Sequence, residues 1–402
     1  MTSAAANRFH ERTTHLLAEL DRSGQMKHLQ TIEGPMGPTI RLEGRGEVLC
    51  FCSNNYLGLA NHPEVVEAGI KGLRDYGAGT ASVRFICGTF EPHLTLEKRI
   101  AEFMGTEASY SFVSCWNANE AIFPTLCEPG DLILSDELNH ASIIDGVRLA
   151  AVIKKGLRKG VYRHNDLDDL REKLEVARAE PEVEGVIWVV TDGVFSMEGD
   201  IADLPGLRKL CDEFGAMLIV DDSHGAGVMG ETGRGVHEHQ GLRGEQIDFF
   251  TGTLGKALGG GAGGFIAGPK DGVDMIVQRG RPTLFSNAIP VTVACSATKA
   301  IEIVMNEPER VKKLRDNVAY ARRGIRDAGF DVLDSPTAIC PIIIGDTAEA
   351  IAKSNRLMEL GVFVIGFGYP VVPEGEARLR VQISAAHERE HLDGLLDALR
   401  KL

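Results

Sequence analysis

Apolar runs are short throughout this 402-residue chain. None reaches the roughly 20 consecutive apolar residues a bilayer span needs, so no membrane partner is expected. Positive charge is scarce: 43 Lys and Arg stand against 57 Asp and Glu, a formal net charge of −14. No basic face could easily outweigh that excess, so nucleic acid is not expected as a partner either. The opening residues, Met1 to Arg8, lack an apolar h-region and do not read as a signal peptide; the expected compartment is the cytoplasm. Internal repeats and low-complexity linkers are also missing. Cysteine is present, at 8 scattered positions. Several sit in apolar runs such as Val48-Leu49-Cys50-Phe51-Cys52, which reads as reduced, buried thiols rather than a disulfide or zinc framework. Hydrophobic residues at 44% and charged residues at 25% are ordinary for a globular protein.

The length suits one large domain plus a smaller one. Residues 8–30 read as an amphipathic helix, followed by an extended stretch near 39–52. From about residue 60 helical and strand-like segments alternate. Val186 to Val190 reads as a buried strand, Leu204 to Phe214 as a helix, and Met217 to Val220 as another buried strand ending at Asp221. That rhythm predicts an α/β fold, a mostly parallel central sheet with helices on both faces. The chemistry should lie at the carboxyl ends of its strands. After Pro290 a long helical stretch, the run Pro341 to Ile344, the run Ala377 to Ile383 and a terminal helix from His387 predict a smaller α+β domain. The expected division is 1–50 for the N-terminal helix and extended segment, 51–289 for the large domain and 290–402 for the small one.

Lys256 is the most informative residue. It stands in Thr253-Leu254-Gly255-Lys256-Ala257-Leu258-Gly259-Gly260, just after Phe249-Phe250. Such a setting suits an amine held against a carbonyl better than a surface charge. A lysine at its usual pKa is protonated and not nucleophilic, so it would need a special site. Asp221, at a strand end, could pair with a ring nitrogen or merely cap a turn. His224 could bond a phenolic oxygen or serve structure alone. Ser114 is a natural N-cap for a helix through Cys115 and Trp116, and the amides of a helix start suit a phosphate. His140 follows the strand-like Asp131 to Ser135; it could stack on a flat ring or be an exposed loop histidine. Arg378 and Arg380 share one face of a strand, where one could grip a carboxylate or both could join surface ion pairs.

Two short motifs are set aside. Gly225-x-Gly227-x-x-Gly230 fits a dinucleotide fingerprint and follows a strand, but Glu231-Thr232-Gly233-Arg234-Gly235 should not open a helix. His387-Glu388-Arg389-Glu390-His391 fits the zinc-protease spacing, yet reads better as the acid-rich start of a core-facing helix. Neither a nicotinamide-dependent dehydrogenase nor a zinc protease is expected, and no metal.

Together, the strand-end Asp221, His224 and the glycine-flanked Lys256 resemble the fold-type I enzymes that use pyridoxal phosphate. More narrowly, the chain resembles the α-oxoamine synthase family. The resemblance runs through Ser53-Asn54-Asn55-Tyr56-Leu57-Gly58-Leu59, Gly88-Thr89 with His93 and Leu96-Glu97, Asp192-Gly193-Val194-Phe195-Ser196-Met197-Glu198-Gly199, Val220-Asp221-Asp222-Ser223-His224 and Gly252-Thr253-Leu254-Gly255-Lys256. It covers about residues 45–390. Ala81 to Thr89, Leu138 to Leu149 and Tyr369 to Pro373 resemble the branch that joins glycine to acetyl-CoA. Other branches pair serine with palmitoyl-CoA, alanine with pimeloyl-CoA or glycine with succinyl-CoA. The chain departs from the branch pattern at Trp116 and at Gly368, where an aromatic residue is expected beside the acyl pocket.

The resemblance implies an aspartate-aminotransferase-like fold and pyridoxal phosphate bound covalently to Lys256. It implies Asp221 on the pyridine nitrogen, His224 and Ser196 at the phenolic oxygen, and His140 over the ring. The phosphate would meet Cys115, Trp116 and Thr253, with Ser286 and Asn287 reaching it from a second copy in a homodimer. Arg380 and Asn54 would meet the substrate, and Lys256 would act as general base.

Overall fold

In the computed structural model the described residues are 3–23, 25–180 and 183–402. Met1, Thr2, Gly24, Pro181 and Glu182 lie outside these, and with them part of the opening stretch that does not read as a signal peptide and part of the helix expected over 8–30. Thirteen strands are numbered here in chain order. β3 (Ala108–Phe112), β4 (Leu132–Asp136), β5 (Arg158–Tyr162), β6 (Ile187–Asp192), β7 (Ala216–Asp221), β8 (Phe249–Thr253) and β9 (Gly264–Gly268) form one seven-stranded sheet in the order β3-β9-β8-β7-β6-β4-β5. All neighbours from β8 to β5 are parallel, and β9 alone runs antiparallel to its neighbours β3 and β8.

The strands are apolar on both faces because both faces are covered. Leu134, Val189, Leu218, Val220, Phe250 and Phe265 point into the main core. The alternate positions Ile133, Val190, Ile219, Phe249 and Ile266 pack under the helices Cys115–Leu126 and Ala141–Ile153. Period-two alternation between two buried faces leaves the near-continuous apolar runs visible in the sequence. The expected fold class is therefore the one observed.

Two smaller sheets complete the molecule. β10 (Ile339–Gly345), β13 (Ala377–Gln382) and β12 (Ile365–Phe367) form an antiparallel sheet. β1 (Thr39–Leu42) and β2 (Gly46–Cys50) form a hairpin that is extended by β11 (Val362–Phe363), tying the N-terminal extended stretch to the C-terminal part of the chain.

The first helix differs from expectation. It spans Ala4–Arg22 rather than 8–30, with the Ser3 hydroxyl accepting from the Ala6 amide at its start. It ends at Arg22, with Ser23 as its C-cap. None of its residues is buried, and Phe9, Leu16 and Leu17 stand half exposed. The last helix begins at Arg389, two residues later than read from the sequence, because Glu388 and His391 close a capping box there.

One buried ion pair fixes the segment before the helix Glu91–Met104. Arg84 meets Glu97 through two parallel contacts, Nη1 to Oε1 at 2.5 Å and Nη2 to Oε2 at 3.0 Å. Its guanidinium lies 4.3 Å from the Tyr110 ring centroid. Glu97 also accepts from the Ser111 amide and hydroxyl on β3. Removing one partner of a buried pair strands the other charge, so Glu97→Ala should cost about 3–5 kcal/mol. Chemical denaturation reads this directly, and a loss within ±0.5 kcal/mol, typical of a surface site, would contradict the assignment.

Candidate functional site

Five strand ends converge. Ser114 follows β3, His140 follows β4, Ser196 follows β6, His224 follows β7 and Lys256 follows β8. This is the carboxyl edge of the sheet, where an open α/β fold leaves a crevice.

Lys256 leaves β8 in a turn held by Thr253, whose hydroxyl accepts from the Gly255 amide at 3.1 Å and donates to the Gly263 carbonyl at 3.2 Å. The Lys256 Nζ lies 2.8 Å from His224 Nε2. Burial pulls its ammonium down to about 8, with Arg380 adding to the fall and Asp221, Cys115 and Asp192 opposing it. The amine therefore has a substantial neutral, nucleophilic fraction near neutrality. Burial, with Lys256, Arg380 and His140 nearby, holds His224 well below the ordinary imidazole range, so this ring is neutral.

Asp221 ends β7, 4% exposed. Burial alone would raise its carboxyl, but hydrogen bonds from Ser223 and Asn119 and the nearby His140 and Lys256 leave it below its usual value. The Ser223 amide donates to Oδ1 at 3.0 Å, and Asn119 Nδ2 donates to Oδ2 at 2.7 Å. The same amide group of Asn119 also donates to Ser142 Oγ at 2.9 Å, and Ser142 Oγ lies 2.7 Å from His140 Nδ1. A single helical side chain thus ties the Asp221 carboxylate to the His140 ring. Asp192, at the end of β6, holds the His140 amide through Oδ2 at 3.2 Å. Burial and the neighbouring Asp221 drive its own carboxyl well above the usual range. Two adjacent carboxyls are therefore pushed in opposite directions, Asp221 toward its ionised form and Asp192 toward its neutral one.

Ser114 caps the helix Cys115–Leu126 as expected, accepting from the Asn117 amide at 3.2 Å. The other first-turn amides of a helix have no partner inside it and present an anion site. Gly264 makes the approach possible: a Cβ there would fall 2.2 Å from the Cys115 amide nitrogen. Trp116 stands edge-on to His140 with centroids 6.0 Å apart, its indole donating to Glu120 at 3.0 Å.

The two arginines of β13 separate clearly. Arg378 is consumed by structure: it meets Glu198 at 3.2 Å and Glu376 at 3.0 Å, and also the Met197 and Glu376 carbonyls. Arg380 is 6% exposed, and its Nε donates to the Ser196 carbonyl at 2.6 Å. Among the described residues no carboxylate pairs with it. A buried guanidinium without a counter-charge is costly unless an anion is to come.

Other expected residues lie less centrally. Ser196 joins the cluster through that carbonyl, and Asn54 Oδ1 lies 3.2 Å from the Tyr56 hydroxyl. Ser286 is half-buried and shares a narrow cleft with Arg84, Asn117 and Asn287. Gly368 has a packing reason: a Cβ there would come within 2.4 Å of Thr347, at the start of the helix Thr347–Glu359. Sequence reasoning missed Asn119, Ser142, Asp192, Tyr56 and Gln382. Ser142 two places from His140, and Asn119 one turn from Cys115, were the available signals.

The two dismissed motifs are structural. The stretch after Gly230 opens only the four-residue helix Val236–His239. His387 precedes the last helix, bonding the Ser384 amide and the Cys50 carbonyl, while His391 accepts from the Glu388 amide. All eight cysteines are free; Cys50, Cys127, Cys211 and Cys340 are buried, Cys87 is exposed, and the remaining three are intermediate, so the burial expectation holds for half of them.

These residues fit pyridoxal phosphate. An ionised, buried Asp221 suits a protonated ring nitrogen, the Lys256 amine with its lowered pKa suits a carbonyl, and the Gly264 approach leaves a helix start open to a phosphate. Comparison with known proteins agrees. The family model Aminotransferase class I and II matches residues 46–399. The human mitochondrial 2-amino-3-ketobutyrate coenzyme A ligase is 44% identical over 94% of this chain and 88% of its own length. The 8-amino-7-oxononanoate synthase of Petrotoga mobilis is 43% identical over 98% of each chain. A solved structure of SPT holding PLP superposes with a TM-score of 0.89 at 30% identity, covering 97% of this chain and 96% of that one. This chain belongs to the aminotransferase class I and II family and, within it, to the pyridoxal phosphate-dependent α-oxoamine synthases.

Proposed function

We propose that the chain condenses glycine with acetyl-CoA to give 2-amino-3-oxobutyrate and free CoA, and runs the reverse reaction in threonine breakdown. The observation that carries this reading is a depressed Lys256 amine in the same crevice as a buried Arg380 that lacks a carboxylate. An amino acid offers both complements: a carboxylate for Arg380 and an α-proton for Lys256.

When bound, pyridoxal phosphate supplies a cationic ring that takes up the electron pair left on the glycine α-carbon. Asp221 keeps the ring nitrogen protonated, and His224 and Ser196 attend the phenolic oxygen. His140 covers one ring face. Cys115, Trp116 and Thr253 hold the phosphate, with Ser286 and Asn287 of a second copy. Arg380 and Asn54 orient the glycine carboxylate, and Lys256 removes the α-proton. The α-carbon then bonds to the acetyl carbonyl, and CoA leaves as its thiol. A homodimer follows from the shared phosphate site; light scattering should give twice the chain mass, and a monomer would contradict it. Eight free thiols suit a reducing compartment such as the cytoplasm.

Asp221→Asn preserves shape but removes the counter-charge. Turnover should fall about 10²–10³-fold, the scale of one preorganised electrostatic partner. Unchanged turnover would move the ring nitrogen elsewhere.

The 43% identity to an 8-amino-7-oxononanoate synthase favours a second reading, alanine with pimeloyl-CoA. Thiol release should be measured for glycine, alanine and serine against acetyl-, succinyl-, pimeloyl- and palmitoyl-CoA. Glycine with acetyl-CoA should give the highest kcat/KM; alanine with pimeloyl-CoA in first place would replace the proposal.

A further inference from the structure

His224 is the end of a hydrogen-bond chain that leaves the crevice entirely. Its Nε2 faces Lys256 Nζ at 2.8 Å, and its Nδ1 faces the Tyr56 hydroxyl at 2.9 Å. Tyr56 in turn lies 2.9 Å from Gln382 Oε1, and Gln382 Nε2 donates to the Cys52 carbonyl at 2.6 Å. Tyr56, His224 and Gln382 are all buried.

The protons in this chain can be assigned by elimination. The Cys52 carbonyl can only accept, so the amide end of Gln382 must face it and Oε1 must face Tyr56. That oxygen also can only accept, and at 2.9 Å it lies nearer than the other carbonyl oxygen at this hydroxyl, Asn54 Oδ1 at 3.2 Å, so the single Tyr56 hydroxyl proton goes to Gln382. Tyr56 stays a phenol at neutral pH, since burial raises it to about 12 against the pull of Arg380. With its proton spent, the Tyr56 oxygen can only accept from His224, so Nδ1 must carry the ring proton. A neutral imidazole has one N–H, which leaves Nε2 bare toward Lys256. The competing arrangement, Tyr56 donating to Nδ1, would set the Tyr56 and Gln382 oxygens 2.9 Å apart with no proton between them, a costly buried mismatch.

We propose that Gln382, acting through Tyr56, is a positioning residue that fixes His224 as the Nδ1–H tautomer, so that a bare Nε2 receives an N–H of Lys256. The consequence is directional. An amine that donates to Nε2 turns its lone pair away from His224 and toward the open crevice, where a carbonyl or an α-proton would be met. The proposal rests on Lys256 being the reacting amine, but the assignment of the tautomer does not.

The test uses the full chain without cofactor, with ¹⁵N-labelled histidine and His224→Gln to identify the signal. The two ring nitrogens of a neutral imidazole resonate far apart according to which carries the proton. Wild type should show protonated Nδ1 and bare Nε2; the opposite tautomer would overturn the proposal whatever the enzyme's substrate. In the Asn54→Ala, Gln382→Leu double variant, which removes both carbonyl acceptors, the Tyr56 proton is released toward Nδ1, and the Nε2–H tautomer should become the major species while Asn54→Ala alone keeps the wild-type tautomer. A double variant that keeps the wild-type tautomer would remove Gln382 from the mechanism. If that variant does not fold, Tyr56→Phe serves: loss of the acceptor should give a mixture of tautomers, and an unmixed Nδ1–H signal would contradict the role of the chain.

Discussion

Lys256→Ala should lower turnover by at least about 10²–10⁴-fold, the usual contribution of a positioned general base, and the protein should lose its covalent hold on the cofactor and the visible colour that goes with it. Two physical features concentrate so large an effect in one side chain. Burial brings the ammonium down to about 8, so the amine can attack a carbonyl at physiological pH. The His224 contact at 2.8 Å fixes where it points. The sign of the pH dependence follows. The reactive form is neutral, so recombination of the cofactor-free protein with pyridoxal phosphate should speed up as pH rises, about tenfold per unit below the lysine pKa. It should level off above about 8. Stopped-flow absorbance measures this. A rate that keeps climbing toward pH 10 would mean an ordinary lysine, and a coloured, active Lys256→Ala protein would remove the residue from the mechanism.

Arg380→Ala should raise the glycine KM far more than the acetyl-CoA KM. Removing one member of a buried, hydrogen-bonded charge pair costs about 2–5 kcal/mol, or roughly 30-fold to several thousand-fold in kcat/KM for glycine at 1.4 kcal/mol per tenfold. The specificity of the prediction lies in the contrast with its neighbour on β13. Arg378 already meets Glu198 and Glu376 and is 2% exposed. Arg378→Ala should therefore damage folding, seen in denaturation, before it alters glycine dependence. Equal rises in both KM values for Arg380→Ala, or a glycine defect confined to Arg378→Ala, would exchange the roles.

Short, local signals carried most of what the sequence revealed. The buried run ending at Asp221, the helix Leu204–Phe214 and the Ser114 cap each depend on residues within a few positions of one another. Lys256, Asp221 and His224 stood out for the same reason: a charged or polar group abutting an apolar strand has few ordinary explanations. What stayed hidden depends on distance along the chain. Gln382 and Tyr56 are 326 positions apart, and no periodicity links them. Arg378 and Arg380 alternate identically, and only the carboxylates of Glu198 and Glu376 tell them apart. Asn119 looked like any helical residue until the fold brought Asp221 and Ser142 to its amide. The first helix spans Ala4–Arg22 rather than 8–30, and its Phe9 and Leu17 stand open to solvent, so no packed face marks its ends.

The central claim is that Lys256 takes the α-proton of an amino acid whose carboxylate Arg380 holds. Proton NMR of glycine in deuterium oxide tests it most directly, with cofactor-loaded protein and no acyl-CoA. The wild type should exchange the glycine α-proton for deuterium, Lys256→Ala should not, and Arg380→Ala should do so only at much higher glycine. Exchange of glycine at the wild-type rate by the Lys256→Ala protein would contradict the account.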